Sequence, residues 1–180
     1  FIPLSTTVED GGRIPIAISV ILIILVLIGI TIYLTHDYYE TKRWKQGIFP
    51  LKLKYTPENL LKAYISLSAN LIRRDIAENA VKSEFSIYYL KKEFSNCKED
   101  VQKALKFSIK YPIQLNTVCT WINENVKEDF NRLQIIYFLT SQSMVNGKIM
   151  PQEYRFLEYL TDQFKLDLKD LDSIIASFYR

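Results

Sequence analysis

Twenty-two consecutive residues, from Ile14 to Thr35 (IPIAISVILIILVLIGITIYLT), contain no charged side chain. No other feature of the chain constrains its fold so tightly. At about 1.5 Å of rise per residue, a helix of this length crosses a hydrocarbon core of roughly 30 Å. A buried helix of a soluble domain seldom stays apolar on every face for so long, because part of its circumference meets water. A secretory signal has a shorter apolar region behind a basic N-terminus, whereas here Glu9 and Asp10 come first. The expectation is a transmembrane helix at 14–35, preceded by a short extracytoplasmic segment, 1–13. The chain opens on Phe1 rather than Met, which reads as a processed chain or a fragment.

The flanks set an orientation. Only Arg13 stands before the span, while Lys42, Arg43 and Lys45 follow it. An excess of Lys and Arg marks the cytoplasmic side. Residues 36–180 are therefore expected inside the cell, behind a single pass through the inner membrane with the N-terminus outside. Tyr38, Tyr39 and Trp44, with Lys42, Arg43 and Lys45, suit the lipid interface. Residues 36–56 form a basic, aromatic juxtamembrane linker. Its stretch GIFPLKLKY (47–55) suits a lipid surface, where each Lys near anionic headgroups adds about 1 kcal/mol, or simple solvation.

From 57 to 180 apolar residues recur at helical spacing, without strand-like alternation. Thr56-Pro57-Glu58 opens a helix, with Thr as N-cap and Pro in the first turn. It runs to about Arg73 and faces Leu60, Leu61, Tyr64, Leu67, Leu71 and Ile72 inward. Further helices are expected from about Ser83 (Ile87, Leu90, Phe94), over 99–110, and after Pro112 (Leu115, Val118, Cys119, Ile122, Val126). The helix over 129–144 is the most apolar, is expected at the centre, and should bury Phe130, Leu133, Ile136, Tyr137 and Thr140. Two more start at Pro151 (Phe156, Leu157, Leu160, Phe164) and after Asp167 (Leu171, Ile174, Ile175, Phe178). The fold class is therefore all-α: one transmembrane helix and a compact bundle of about seven helices. This length buries an ordinary core without disulfides or metals.

Charge is uneven. Residues 36–110 hold 15 Lys+Arg against 9 Asp+Glu, a balance of +6, and residues 111–180 hold 7 against 9, a balance of −2. The basic excess sits beside the membrane and is otherwise dispersed, which argues against a nucleic-acid partner. Cys97 and Cys119 stand apart, and His36 is the sole histidine. This excludes a Cys/His zinc cluster and fits a reducing compartment, with Cys119 an ordinary buried thiol. No nucleophile–base pair, phosphate loop or histidine occurs in 57–180, so no enzyme is expected.

The stretch VNGKIMPQE (145–153) has the outline of a calcium loop. With Gly147 at the sixth position, Asn146, Ile149 and Glu153 fall at the fifth, eighth and twelfth. The first and third positions would then be Gln142 and Met144. Calcium needs six or more hard oxygen ligands, so the loop is poorly equipped for it. The structural alternative is a turn: Asn146-Gly147 ends one helix, Ile149 plugs the gap, Pro151 opens the next, and Glu153 favours its dipole.

These residues resemble the TerB-like family, the tellurite-resistance domain also found in the membrane co-chaperone DjlA. The resemblance rests on Val145-Asn146-Gly147, Ile149, Met150-Pro151-Gln152-Glu153 and Leu166-Asp167-Leu168-Lys169-Asp170-Leu171. A fainter first copy lies at RRDIAENAVKSEF, where Asp75, Glu78 and Glu84 stand in the acidic-loop region. The resemblance implies a TerB-like bundle and a weak divalent-metal set of Asp75, Glu78, Glu84, Asn146 and Glu153, with Asn146 standing where the family has Asp. It also implies DjlA-like topology and, if a J domain follows, an Hsp70 partner. These 180 residues hold only His36-Asp37 and no His-Pro-Asp motif. The expected function is a non-enzymatic, membrane-tethered cytoplasmic interaction domain that recruits cytoplasmic or membrane protein partners. The alternative is a divalent-metal or oxyanion stress sensor using the acidic loops. The cofactor expectation is none beyond that weak metal.

Overall fold

A continuous helix, α1 (Arg13–Lys45), runs for 33 residues and outlasts the apolar run by ten. The structure is a computed structural model that describes residues 13–45, 51, 53–75 and 79–180, with backbone alone for 13–17, 40, 44 and 45. The large apolar side chains of α1 from Ile18 to Leu34 stand about half exposed or more, for example Leu27 at 57% and Ile32 at 63%. Nothing among the described residues buries them, and the helix is long and apolar enough to cross a membrane. Its hydroxyls turn back onto its own backbone. Thr31 Oγ1 donates to the Leu27 carbonyl (2.8 Å), and Thr35 Oγ1 to those of Thr31 (2.9 Å) and Ile32 (2.9 Å). Polar groups in hydrocarbon need this internal satisfaction. The chain divides after Lys42 into two compact units, and the second is a helical bundle.

Among the described residues seven α-helices build that bundle: α2 (Pro57–Ile72), α3 (Asn79–Glu93), α4 (Val101–Lys110), α5 (Leu115–Asn125), α6 (Asp129–Ser143), α7 (Pro151–Gln163) and α8 (Leu168–Ser177). No strand occurs among the described residues. The caps follow the sequence. Asn59 N–H donates to Thr56 Oγ1 (3.1 Å), Lys103 N–H to Asp100 Oδ1 (3.1 Å) and Lys169 N–H to Asp167 Oδ1 (3.0 Å). Each satisfies a donor that the first turn leaves open. α3 begins at Asn79, four residues ahead of the expected Ser83.

The helix at the centre is α2, not α6. Twelve of its 16 residues are buried, and it packs against α3, α4, α5 and α6. Small side chains, Ala63, Ser66, Ser68 and Ala69, let its neighbours close in on several sides. Ser66 Oγ is spent on the Lys62 carbonyl (2.8 Å), so its burial leaves no open donor. α6 buries Ile135, Ile136, Phe138, Leu139 and Thr140, while Phe130 is 67% and Tyr137 46% exposed. The run Ile135–Leu139 offers more than one apolar face, and packing selects the one that brings Phe138 into an aromatic cluster. There its ring lies 4.8 Å from Tyr89, 5.4 Å from Tyr64 and 6.3 Å from Phe85, centroid to centroid. α8 is the outer layer, packed on α6 and α7 alone among the main contacts. Of its expected face only Leu171 is buried, and Ile174, Ile175 and Phe178 are half-buried.

Two further ties hold the bundle. Arg132, buried on α6, donates from Nε to the Val126 carbonyl (2.8 Å) and from Nη1 to the Phe164 carbonyl (3.1 Å). A single cation thus serves the C-terminal ends of α5 and α7, where it suits both helix dipoles. Ahead of α2, Leu51 is buried, Trp121 Nε1 donates to the Leu53 carbonyl (2.9 Å), and Tyr55 stacks on Trp121. The end of the juxtamembrane stretch is therefore part of the bundle.

Candidate functional site

The turn between α6 and α7 is built as a turn. Residues Met144–Asn146 form one turn of 3₁₀ helix, and Gly147 follows at φ 78°, where its N–H reaches the Met144 carbonyl (2.8 Å). A left-handed residue after a helix end is the ordinary role of glycine. Ile149 packs against the core, and Pro151 opens α7. Gln142, first in the calcium alignment, is buried, and its Nε2 faces the Ser68 carbonyl at 3.4 Å.

Glu153 departs from an ordinary first-turn acid. It has no exposed surface. Its N–H donates to the Met150 carbonyl (2.9 Å), and its Oε2 accepts from the Met150 N–H (3.0 Å). This is the carboxylate half of a capping box, closed at a position where Met has no side-chain oxygen to complete it. Its other oxygen, Oε1, accepts from Lys82 Nζ at 2.6 Å, across 71 residues of sequence. Lys82 Nζ also lies 2.7 Å from Asp75 Oδ2. The Lys82 side chain is 2% exposed, Glu153 0% and Asp75 12%. One ammonium therefore joins the loop after α2, the first turn of α3 and the first turn of α7.

The electrostatics follow from that placement. Burial alone would lower the Lys82 pKa, but hydrogen bonds and charge from Asp75 and Glu153 outweigh it and hold the ammonium above its ordinary range. A polar seam continues along the same helices. Ser86 Oγ donates to the Lys82 carbonyl (2.9 Å), and Ser68 Oγ donates to Ser86 Oγ (3.0 Å), all fully buried.

Of the expected metal residues, Asp75 and Glu153 meet through Lys82. Glu84 is exposed on α3, two residues beyond Lys82 and so on a different face. Asn146 is exposed at the end of the 3₁₀ turn, and Glu78 lies outside the described residues. Among the described residues no three His, Cys, Asp or Glu side chains converge as a metal-binding group. Of the expected interface residues, Tyr38, Tyr39, Lys42 and Arg43 are exposed on α1, and the side chains of Trp44 and Lys45 lie outside the described residues. Burial pushes the Cys119 thiol up to about 12, which keeps it protonated at neutral pH.

A second feature lies between α6 and α8. Phe130, Leu133 and Tyr137, one above another on that helix, and Ile174 on α8 line a groove of about 330 Å³. The Tyr137 and Phe178 rings stack beside it, 5.6 Å apart. Asp170 is the one charged residue in the lining. The sequence stripe on α6 named these residues but placed them in the core.

No protein-family model, curated protein or solved structure matches the chain. The likeness to TerB-like domains rests on the motif residues alone.

Proposed function

We propose that the chain is a non-catalytic adaptor: α1 tethers it to the membrane, and the bundle holds a partner protein on the cytoplasmic side. The groove between α6 and α8 carries this reading. An exposed aromatic ring such as Phe130, 67% open to water, is costly to leave uncovered beside Tyr137 and Ile174. Anchors at i, i+3 and i+7 along one wall suit an amphipathic helix laid into the groove. Asp170 gives the rim an acidic edge. The occupant we propose is thus a partner's amphipathic helix with Lys or Arg beside its apolar stripe. Lys42, Arg43 and Lys45 support the cytoplasmic orientation. Tethering raises the local concentration of such a helix at the membrane surface. In the narrower form of this proposal the partner is an Hsp70, which requires a His-Pro-Asp motif outside these 180 residues.

The test is photo-crosslinking in cells from a benzoyl-phenylalanine at position 137, with one at Tyr88, 71% exposed on α3, as control. The expected product is a crosslink from 137 to a basic amphipathic segment, lost in Phe130→Glu and in Ile174→Glu. Crosslinks from 137 to lipid alone, or to the same peptides as from 88, would remove the groove from the account.

A further inference from the structure

A cation does lie between the acidic residues of this domain, and it belongs to the chain. Oxygen ligands stand about 2.3–2.6 Å from calcium. Lys82 Nζ lies 2.6 Å from Glu153 Oε1 and 2.7 Å from Asp75 Oδ2. A divalent ion on those two oxygens would fall almost on the ammonium nitrogen, so the two cannot coexist. The second Glu153 oxygen, Oε2, already accepts the Met150 N–H at 3.0 Å. Glu84 and Asn146, which a metal would need as further ligands, face solvent elsewhere. The divalent metal implied by the family resemblance therefore does not fit the described members of its set, Asp75, Glu84, Asn146 and Glu153.

We infer that Lys82 is the resident cation of this site: its ammonium takes the place of a divalent ion, and a divalent-cation site opens only when that ammonium is removed. The intact protein then does not respond to divalent metal through Asp75 and Glu153. With the ammonium gone, two carboxylates share a buried space that the lysine stem had filled. Water enters, and a hard divalent ion can gather those oxygens and the waters around it. Two carboxylates and borrowed water make a weak site, on the order of millimolar. This inference does not rest on the adaptor reading.

The experiment uses the full chain in detergent micelles, with CaCl₂ and MnCl₂ as probes, calorimetric titration, and thermal unfolding followed by circular dichroism. For the native protein the expected result is no saturable heat at millimolar metal and the same Tm in EDTA as in calcium. For Lys82→Ala the Tm falls in EDTA, and either metal recovers roughly 5 °C at ten times its Kd. Lys82→Ala/Glu153→Gln loses that recovery. Lys82→Ser, whose hydroxyl adds a ligand, serves in the same way should Lys82→Ala not refold. Saturable binding to the native protein that Glu153→Gln abolishes would overturn the inference. So would a folded Lys82→Ala or Lys82→Ser whose Tm is indifferent to both metals.

Discussion

Replacing Glu153 by Gln tests whether the buried triad holds the bundle together. The side chain keeps its size and loses its charge. Glu153 now accepts two hydrogen bonds with two oxygens, from Lys82 Nζ at 2.6 Å and from the Met150 N–H at 3.0 Å. An amide has one oxygen and one NH₂. If the oxygen serves Lys82, the NH₂ confronts the Met150 N–H; if it serves Met150, the NH₂ confronts the ammonium. Either way a donor faces a donor at a residue with no exposed surface. A charge-assisted hydrogen bond contributes about 1.5–3 kcal/mol, and an unsatisfied buried group costs about 1–3 kcal/mol. Lys82 keeps Asp75, so the loss stays below the ceiling of about 5 kcal/mol for stripping a buried charge of its partner. The expected cost is about 3 kcal/mol, or a fall in Tm of roughly 10 °C for a domain of this size. Glu84→Gln, on the exposed face of α3, should stay within about 0.5 kcal/mol. The assay is thermal and urea unfolding by far-ultraviolet circular dichroism, closed as a double-mutant cycle with Lys82→Met. The double mutant should cost clearly less than the two single changes added together. A Glu153→Gln protein as stable as Glu84→Gln, or a cycle that is simply additive, would refute the reasoning.

Other outcomes follow from neighbouring features. Stability should fall above about pH 9. The Lys82 ammonium is held above its ordinary value of about 10.4, so its contribution is complete below that pH and is lost as pH rises through the folded value. Burial raises the Tyr64 and Tyr89 hydroxyls and the Cys119 thiol, so the unfolded chain ionises first and alkali acts in the same direction. Urea midpoints from pH 8 to 11 should therefore drop less steeply in Lys82→Met than in the native protein, and equal slopes would contradict the assignment. A membrane-impermeant maleimide should leave Cys97 unlabelled in intact cells and label it after permeabilisation, while the buried Cys119 stays unlabelled until the bundle unfolds. Labelling of Cys97 in intact cells would reverse the orientation. Gly147→Ala meets nothing within 4 Å, so its cost should be the backbone strain of φ 78°, roughly 1 kcal/mol, and urea unfolding should find Gly147→Asn less affected.

The fold was legible because its signals are local. An uncharged run long enough for a membrane, caps at Thr56 and Asp167, and Pro57 and Pro151 at helix starts need no knowledge of what lies across the bundle. Which face each helix buries is a different matter. α2 reads as amphipathic, yet its Ser66 and Ser68 are fully buried because small hydroxyls can be satisfied by backbone or by each other. α6 carries two apolar faces, and only the position of Tyr64, Phe85 and Tyr89 decides that Phe138 goes in and Phe130 stays out. α8 has the same apolar spacing as a core helix, but among the described residues no further layer covers it.

The site was legible in halves. The calcium-loop spacing and the TerB-like resemblance drew attention to Glu153, and the resemblance to Asp75, and the structure does join them, but through a residue that neither consideration singled out. Lys82, Ser86 and Leu90 repeat every four residues, a line that ends in a fully buried leucine. That line was the available signal, and an apolar template passes over it because two of its three members are polar. A buried lysine is stable only if oppositely charged groups converge on it. Convergence across 71 residues of sequence is a property of the folded chain, not of either segment alone. Acidic loops that resemble a metal site thus have two physical solutions, an ion taken from solution or an ammonium carried by the chain. The second leaves the same carboxylates in place and fixes α3 and the loop after α2 onto the start of α7. In the adaptor reading that lock shares no residue with the groove, so metal chelation should leave partner binding unchanged, whereas Glu153→Gln should weaken it only as far as it unfolds the bundle.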